Sequence, residues 1–555
     1  MLEKLAMNSL KKIKSFLKKN NIDVCLISKN NKFLNEFVEN KENLLLKISK
    51  FSGSLGFAII KGNRQYLYVD GRYAQQAKIQ SKKFIIKDLS VLKKDLSNII
   101  KSKKKILIDP KTFSYNFFSQ FTSDSFVFFN SDKNKRKSEK IFYLSKNYSG
   151  QEYFEKIKKL KEKIYLKNKE AFLITSSENI AWLSNIRSLD KKYSKIFNCI
   201  ALFKNNKLYV FSDQKIFLKL KNVIFKKNKD FEKILLKNDK IYLDQKYTSF
   251  YFHDLIKDKN IKVSFINDPI DQLKSIKNNT EISNTKIAHM FDGIAYCKFL
   301  YWLKSNNKKI NEIDCQNKIE FFKKQNQFYL GPSFETISAT EKNAAVIHYN
   351  AKDYKKTYLK KNNMLLVDSG SQYFFGTTDM TRTISLGKQS YFRKKMYTLV
   401  LKSHIAVANT KLTKMTGKAL DKIARKNLIK LGYNYNHGTG HGVGFLSNVH
   451  ETPPSISKLY NKKFYHNQIT SNEPGFYKIN DFGIRLENLI YVNSQNKFEN
   501  LTLVPFDISM ILKSMLTKKE KNWINSYHSE VYEKVNKFLN NKEKEFINKC
   551  CLKIN

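Results

Sequence analysis

Cysteine is sparse and scattered. The chain of 555 residues has six, Cys25, Cys199, Cys297, Cys315, Cys550 and Cys551, and no Cys-x-x-Cys pair. That spacing argues against a disulfide framework and fits a reducing, cytoplasmic compartment. Long apolar runs are also missing. Nowhere do about 18 apolar residues follow one another, so no membrane span is expected. Met1 to Asn21 alternates Leu, Ile and Phe with Lys at helical spacing, without an apolar core of signal-peptide length. It reads as a first amphipathic helix packing on its own domain, a basic membrane-surface helix being the other reading.

Arginine is the third scarcity. Only 8 of the 102 basic residues are Arg, although the formal net charge is +53. Such a charge raises the prospect of a polyanion-binding protein. However, the lysines are spread along the whole chain, and the guanidinium that forks onto phosphate is rare. A composition bias toward Lys explains the charge better, and no specific nucleic-acid partner is expected.

What is present suits globular cores: 41% hydrophobic and 14% aromatic residues. The length implies about two to four domains. Three blocks follow one another. The first begins with helix and then Ile22 to Ser28, a buried-strand pattern. Strand-like runs recur at Ala58 to Ile60, Tyr66 to Val69 and Ile106 to Ile108. A polar run from Asn130 to Lys140 reads as surface loop or linker. The second block repeats the order: a lysine-rich helix, then strands at Ala171 to Thr175, Cys199 to Phe203 and Leu208 to Phe211. Two such α/β blocks suggest an internal duplication. The third block opens with a helical stretch from Asn279 to about Ser305. Strand-and-turn sequence is expected to dominate from there to about residue 505, and a charged helical end closes the chain.

Most chemistry-bearing residues lie in the third block. Asp368 and Asp379 stand eleven residues apart in two strand-like runs joined by a turn near Phe375-Gly376. Pairing those strands would bring two repelling carboxylates together, a task for a metal ion; solvated hairpin residues would look the same. His348 is expected at the end of an apolar strand. His404 sits in a helical pattern and reads as structural. His437 and His441 lie in a run with four glycines, 436 to 444, whose open backbone suits close approach by an ion or substrate. His450 precedes Glu451. Glu473 sits before a Pro-Gly turn. Glu487 shares a strand face with Arg485, so a plain Arg485–Glu487 pair and a metal ligand are both open. Carboxylates with one imidazole suit Mn²⁺, Co²⁺ or Zn²⁺, and four carboxylates suit two ions better than one.

The ordered set Asp368, Asp379, His441, Glu473 and Glu487, each in its local context, resembles the ligand set of the pita-bread metallopeptidases. Among these the chain is most similar to the long, three-domain aminopeptidase P, or Xaa-Pro aminopeptidase, group. Phe51 to Gly56, Val69 to Tyr73, Asn179 to Arg187, Leu501 to Phe506 and Trp523 to His528 extend the likeness almost end to end. Two loops depart from the family pattern, Thr452-Pro453-Pro454 after Glu451 and Ser338 to Asn343 before His348; they bear on substrate preference more than on chemistry.

The resemblance implies an α/β and α+β fold. Two tandem creatinase-like domains (1–145 and 146–275) would precede a pita-bread catalytic domain (276–505) with a helical C-terminal segment (506–555). It implies hydrolysis of the N-terminal Xaa-Pro bond of peptides by a water or hydroxide bridging two Mn²⁺ ions, with Zn²⁺ or Co²⁺ as alternatives. Asp368, Asp379, His441, Glu473 and Glu487 would be the ligands. Glu473 would also shuttle a proton, His348, His437 and His450 would meet the substrate, and Arg485 would support Glu487. A homodimer is the implied assembly. The rival readings are a prolidase-like Xaa-Pro dipeptidase and a non-catalytic binding protein of the same fold.

Overall fold

A computed structural model describes residues 9–121, 124–129, 140–306 and 308–555. The first eight residues of the expected N-terminal helix, and the expected linker apart from Lys140, lie outside the described residues. The rest of that helix spans Leu10–Lys19. Ser9 caps the Lys12 N–H, and Ile13 and Leu17 are buried. Both pack with Cys25 and Ile27 of the first sheet, as expected of a helix serving its own domain.

The chain divides into two compact units. The first carries two six-stranded sheets. In chain numbering, one runs 85–88, 64–69, 57–61, 24–28, 106–108, 126–128, and the other 223–226, 207–211, 200–204, 170–174, 240–243, 262–265. Their polarities agree strand for strand. In each, the three neighbouring strands 24–28, 57–61, 64–69 or 170–174, 200–204, 207–211 pair antiparallel, and the outer strands add in parallel. The two sheets thus share one topology, the pattern an internal duplication would leave. Alternate residues of Val24–Ser28 feed two different cores: Cys25 and Ile27 one, Val24 and Leu26 the other. Burial on both faces explains why the strand reads as an unbroken apolar run.

The second unit begins in earnest with the helix Asn279–Ser305. Asn278 accepts the Glu281 N–H and the Glu281 carboxylate accepts the Asn278 N–H, a reciprocal cap. Small antiparallel sheets follow. Ile337–Thr340, Met364–Asp368 and Thr381–Ser385 form one; Tyr329–Pro332, Ser371–Tyr373 and Gly376–Thr377 form another. A five-stranded sheet orders Glu451–Ile456, Gly440–Gly442, Ile469–Asn472, Asn488–Val492 and Phe498–Asn500. Gly475–Lys478 and Phe482–Arg485 make a hairpin.

Two expectations need correction. Besides the helix expected around His404, which spans Tyr391–Ala408, the region read as strand and turn holds two more, Glu312–Lys324 and Gly417–Ile429. In Tyr391–Ala408 the residues Met396 to Leu401 are all buried, so the apolar stripe that marks a surface helix is absent. His348 does not end a strand. The strand Ile337–Thr340 stops at Glu341, whose φ is +50°, and the chain enters a tight 3₁₀ turn over Glu341–Ala345. The apolar run before His348 therefore packs as turn, the usual ambiguity of a short apolar segment.

Candidate metal centre

The segment from Asp368 to Asp379 is a hairpin that changes sheets halfway. Asp368 pairs with Thr381 in one sheet, and Gln372 pairs with Thr377 in the other. The tip falls at Phe374-Phe375, beside Gly376, whose φ of +132° suits glycine alone. The chain passes from one sheet to the other at Ser369-Gly370. Asp379 meets His441, with Oδ2 3.5 Å from Nε2. One donor atom each from Asp379, His441 and Glu487 lies within 4.8 Å of the others.

His441 sits on the strand Gly440–Gly442. Its Nδ1 faces the Gly442 carbonyl at 2.9 Å. A carbonyl only accepts, so Nδ1 carries the proton and Nε2 presents a lone pair when the ring is neutral. Nε2 lies 3.4 Å from Glu473 Oε1. The glycines around it serve a different purpose from the open backbone read in the sequence. A Cβ on Gly440 would stand 2.0 Å from the Ser471 carbonyl, and one on Gly442 2.6 Å from that of Glu451. They let neighbouring strands close on the histidine strand, and only Gly438 is spacious.

Glu473 follows the strand Ile469–Asn472, its N–H held by the Thr439 carbonyl at 2.8 Å. His404 fixes the residue before it, as expected of a structural imidazole: Nδ1 is 3.0 Å from the Asn472 carbonyl. Burial, then Arg382, push the His404 pKa down to about 3. Glu487 falls between the strands Phe482–Arg485 and Asn488–Val492. Its N–H meets the Thr381 carbonyl, and Oε2 accepts the Thr381 hydroxyl at 2.7 Å.

Arg485 requires a correction. It supports Asp368 rather than Glu487, donating from Nη2 to Asp368 Oδ2 at 2.6 Å, and reaches Glu487 only through Thr381 Oγ1. Its Nη1 donates to the hydroxyl of Tyr477, 2.9 Å away. Tyr477 in turn lies 2.9 Å from His437 Nε2, and His437 Nδ1 is 3.9 Å from Glu473 Oε2. His437 is thus in the cluster. His450 joins it by ring contact with His441 at 4.3 Å and is exposed. His348 stands on its own turn, half-buried. Tyr477 and Thr381 escaped sequence reading. The signal was there for both: one lies four residues after Glu473, the other two after Asp379.

The electrostatics are those of a site with too much negative charge. Burial, then neighbouring Asp379, Glu473 and Asp368, hold the Glu487 carboxyl well above its ordinary range. Burial raises Asp368 despite Arg485. Burial also pushes Glu473 up to about 7, against His441 and Arg485. Burial works to discharge His441, but Asp379 and Glu473 overcome it and raise its pKa to about 9. Asp368 Oδ1 and Glu487 Oε1 are buried with no hydrogen-bond donor. Buried carboxylate oxygens require a partner, and a hard divalent cation satisfies this set of carboxylates with one imidazole. The donors fit such an ion.

The sign of the pH dependence follows. Glu473 titrates at about 7 in the fold against an ordinary 4.5, so its contribution to stability falls as pH rises from 4.5 through 7. His441 gives stability below its ordinary 6.5 that is lost as pH rises through about 9. Both act in one direction. We expect the thermal midpoint of metal-free protein to drop by about 5 °C between pH 6 and pH 9, and Mn²⁺ to reverse that trend because binding needs deprotonated ligands. Calorimetry with and without Mn²⁺ checks this; a metal-free midpoint that rises with pH contradicts it.

Comparison with known proteins agrees with this geometry. Residues 283–494 match the model of metallopeptidase family M24, and residues 495–554 its C-terminal region. Residues 10–127 and 132–281 match two models of the creatinase/prolidase N-terminal domain. A protein of Coccidioides posadasii named "Probable Xaa-Pro aminopeptidase P" is 31% identical over 96% of this chain and 91% of its own length. One of the same name from Coprinopsis cinerea is 32% identical over 95% of each chain. The crystal structure of the X-prolyl aminopeptidase of Caenorhabditis elegans, described as a cytosolic enzyme with a di-nuclear active site, superposes with a TM-score of 0.88. It covers 97% of each chain at 27% identity. With two creatinase-type domains, an M24 catalytic region and its C-terminal extension in one chain, this protein belongs to metallopeptidase family M24, in its Xaa-Pro aminopeptidase P group, and is a peptidase.

Proposed function

We propose that the protein removes the first residue from peptides whose second residue is proline, at the cluster of Asp368, Asp379, His441, Glu473 and Glu487. The observation that carries the reading is the convergence of Asp379, His441 and Glu487 within 4.8 Å. The relatives named for Xaa-Pro hydrolysis, alike over nearly the whole chain, support the substrate class. Asp368, Asp379, His441, Glu473 and Glu487 would together hold two divalent ions as direct ligands. Such ions supply Lewis acidity toward a carbonyl and a water that loses its proton near neutral pH. We assign Mn²⁺, with Zn²⁺ or Co²⁺ compatible with the same donors.

The chain's own groups do the rest. Glu473, 3.4 Å from His441 Nε2, is assigned to take a proton and return it to the proline nitrogen as the C–N bond breaks. Arg485 holds the Asp368 carboxylate in one orientation. Tyr477 holds the His437 ring beside Glu473. His348 and His450 are assigned to hydrogen-bond the substrate and the negative charge that develops on it, and His437 to face the substrate. We keep the domain division 1–145, 146–275, 276–505 and 506–555. A cytoplasmic homodimer acting on proline-containing peptides, without a nucleic-acid or membrane partner, completes the proposal. Among the described residues no helix is long and apolar enough to cross a membrane.

The test is release of free arginine from an Arg-Pro-Pro tripeptide, against an Arg-Ala-Pro control. Release from the first alone is expected. Equal release from both would overturn the proline assignment.

A further inference from the structure

Behind the hairpin that carries Asp368 and Asp379 lies a polar network that the proposed chemistry does not use. Asp292, on the helix Asn279–Ser305, and Lys323, on the helix Glu312–Lys324, both have side chains no more than 2% exposed. Lys323 Nζ is 3.5 Å from Asp292 Oδ1. Buried charges are costly unless paired and fully hydrogen-bonded, and these two direct all their bonds at one place.

That place is the crossover between the two sheets. Asp292 Oδ1 accepts the Ser371 hydroxyl at 2.6 Å and the Tyr373 hydroxyl at 3.2 Å, and Oδ2 accepts the Thr378 hydroxyl at 2.8 Å. Thr378 Oγ1, its proton committed to Asp292, accepts the Ser371 N–H at 2.9 Å. Lys323 donates to Ser369 Oγ and, at 3.2 Å, to the Gly370 carbonyl. The gripped residues 369, 370, 371, 373 and 378 all lie between the two aspartates along the chain, Ser369 and Thr378 next to them. Gly370 leaves no slack, since a Cβ there would lie 2.2 Å from the Thr378 carbonyl. A carboxylate accepting three hydroxyls orients all three, so the crossover has one arrangement.

We propose that Asp292 and Lys323 are positioning residues for the metal centre: a buried ion pair, built from two helices, that fixes the crossover and so sets where Asp368 and Asp379 stand relative to each other. The inference rests on the metal-dependent reading given above. A pair that served stability alone would not need every bond on this crossover. Outer residues that orient ligands typically govern metal affinity by about 10- to 100-fold.

The experiment measures Mn²⁺ affinity and stoichiometry by titration, with thermal midpoints of the metal-free proteins. Asp292→Asn should bind Mn²⁺ about 10- to 100-fold more weakly. Leu202→Ala, a cavity in a core of the first unit that shares no residue with this network or with the ligands, supplies the comparison. It should lose thermal stability with unchanged Mn²⁺ affinity. Ser371→Ala removes one hydroxyl and leaves the ion pair whole, so it remains informative if Asp292→Asn does not fold. About 3- to 10-fold weaker Mn²⁺ binding is expected of it, within the range for such outer contacts. Wild-type Mn²⁺ affinity in a folded Asp292→Asn or Ser371→Ala variant, or an affinity loss in Leu202→Ala matching theirs, would overturn the inference. Failure of the wild-type protein to bind any divalent ion would instead sink the functional reading itself.

Discussion

Asp379→Ala should lower kcat/KM for Arg-Pro-Pro by at least about a thousand-fold, equivalent to about 4 kcal/mol of transition-state stabilisation. The argument is geometric. Asp379 has Oδ2 3.5 Å from His441 Nε2 and shares the 4.8 Å triangle with His441 and Glu487. Its charge is also felt by Asp368, Glu473, Glu487 and His441. Removing it relieves repulsion among the remaining acids, so the metal-free variant should be no less stable than wild type. Activity lost while stability is kept separates a ligand from a structural residue. Steady-state kinetics with calorimetry reads both, and a folded variant retaining a tenth of the activity would refute the assignment.

Arg485→Met should have the opposite pattern, with stability falling as well as activity. The guanidinium is buried and gives three of its donors to Asp368, Tyr477 and Thr381. Deleting one partner of a buried pair leaves the other uncompensated, at a cost of about 3–5 kcal/mol. Mn²⁺ should recover part of this loss, because a cation again faces Asp368. Arg485→Lys retains the charge but not the fork that spans Asp368 and Tyr477. It should be more stable than Arg485→Met, yet still impaired in turnover. Urea unfolding of metal-free and Mn²⁺-loaded protein checks the order. Equal stability of Arg485→Met and wild type would contradict it.

The part of the centre legible in the sequence was the part written in local contexts. Asp368 ends a strand and Asp379 stands two residues before another, around a glycine turn; Glu473 precedes Pro474-Gly475, and Glu487 falls between two strands rich in apolar residues. Each signal lies within a few residues. The helix Asn279–Ser305 was legible for the same reason, since the residues of its reciprocal cap, Asn278 and Glu281, stand at its start. What was not legible depends on partners far along the chain. Arg485 is two residues from Glu487, and strand alternation puts them on one face. Yet its carboxylate partner Asp368 lies 117 positions away. Asp292 looks like any acidic residue on a long helix, and its role shows only when Ser371 and Thr378 fold against it. The glycines near His441 misled for a related reason. Their lack of side chains serves the approach of neighbouring strands, which no single segment reveals.

The most direct test adds Mn²⁺ stepwise to chelator-stripped protein and follows arginine release from Arg-Pro-Pro. The account predicts no release without metal, a maximum near two ions per chain, and none at any Mn²⁺ concentration from Arg-Ala-Pro. Undiminished release after chelation, or no release at saturating Mn²⁺, would contradict it.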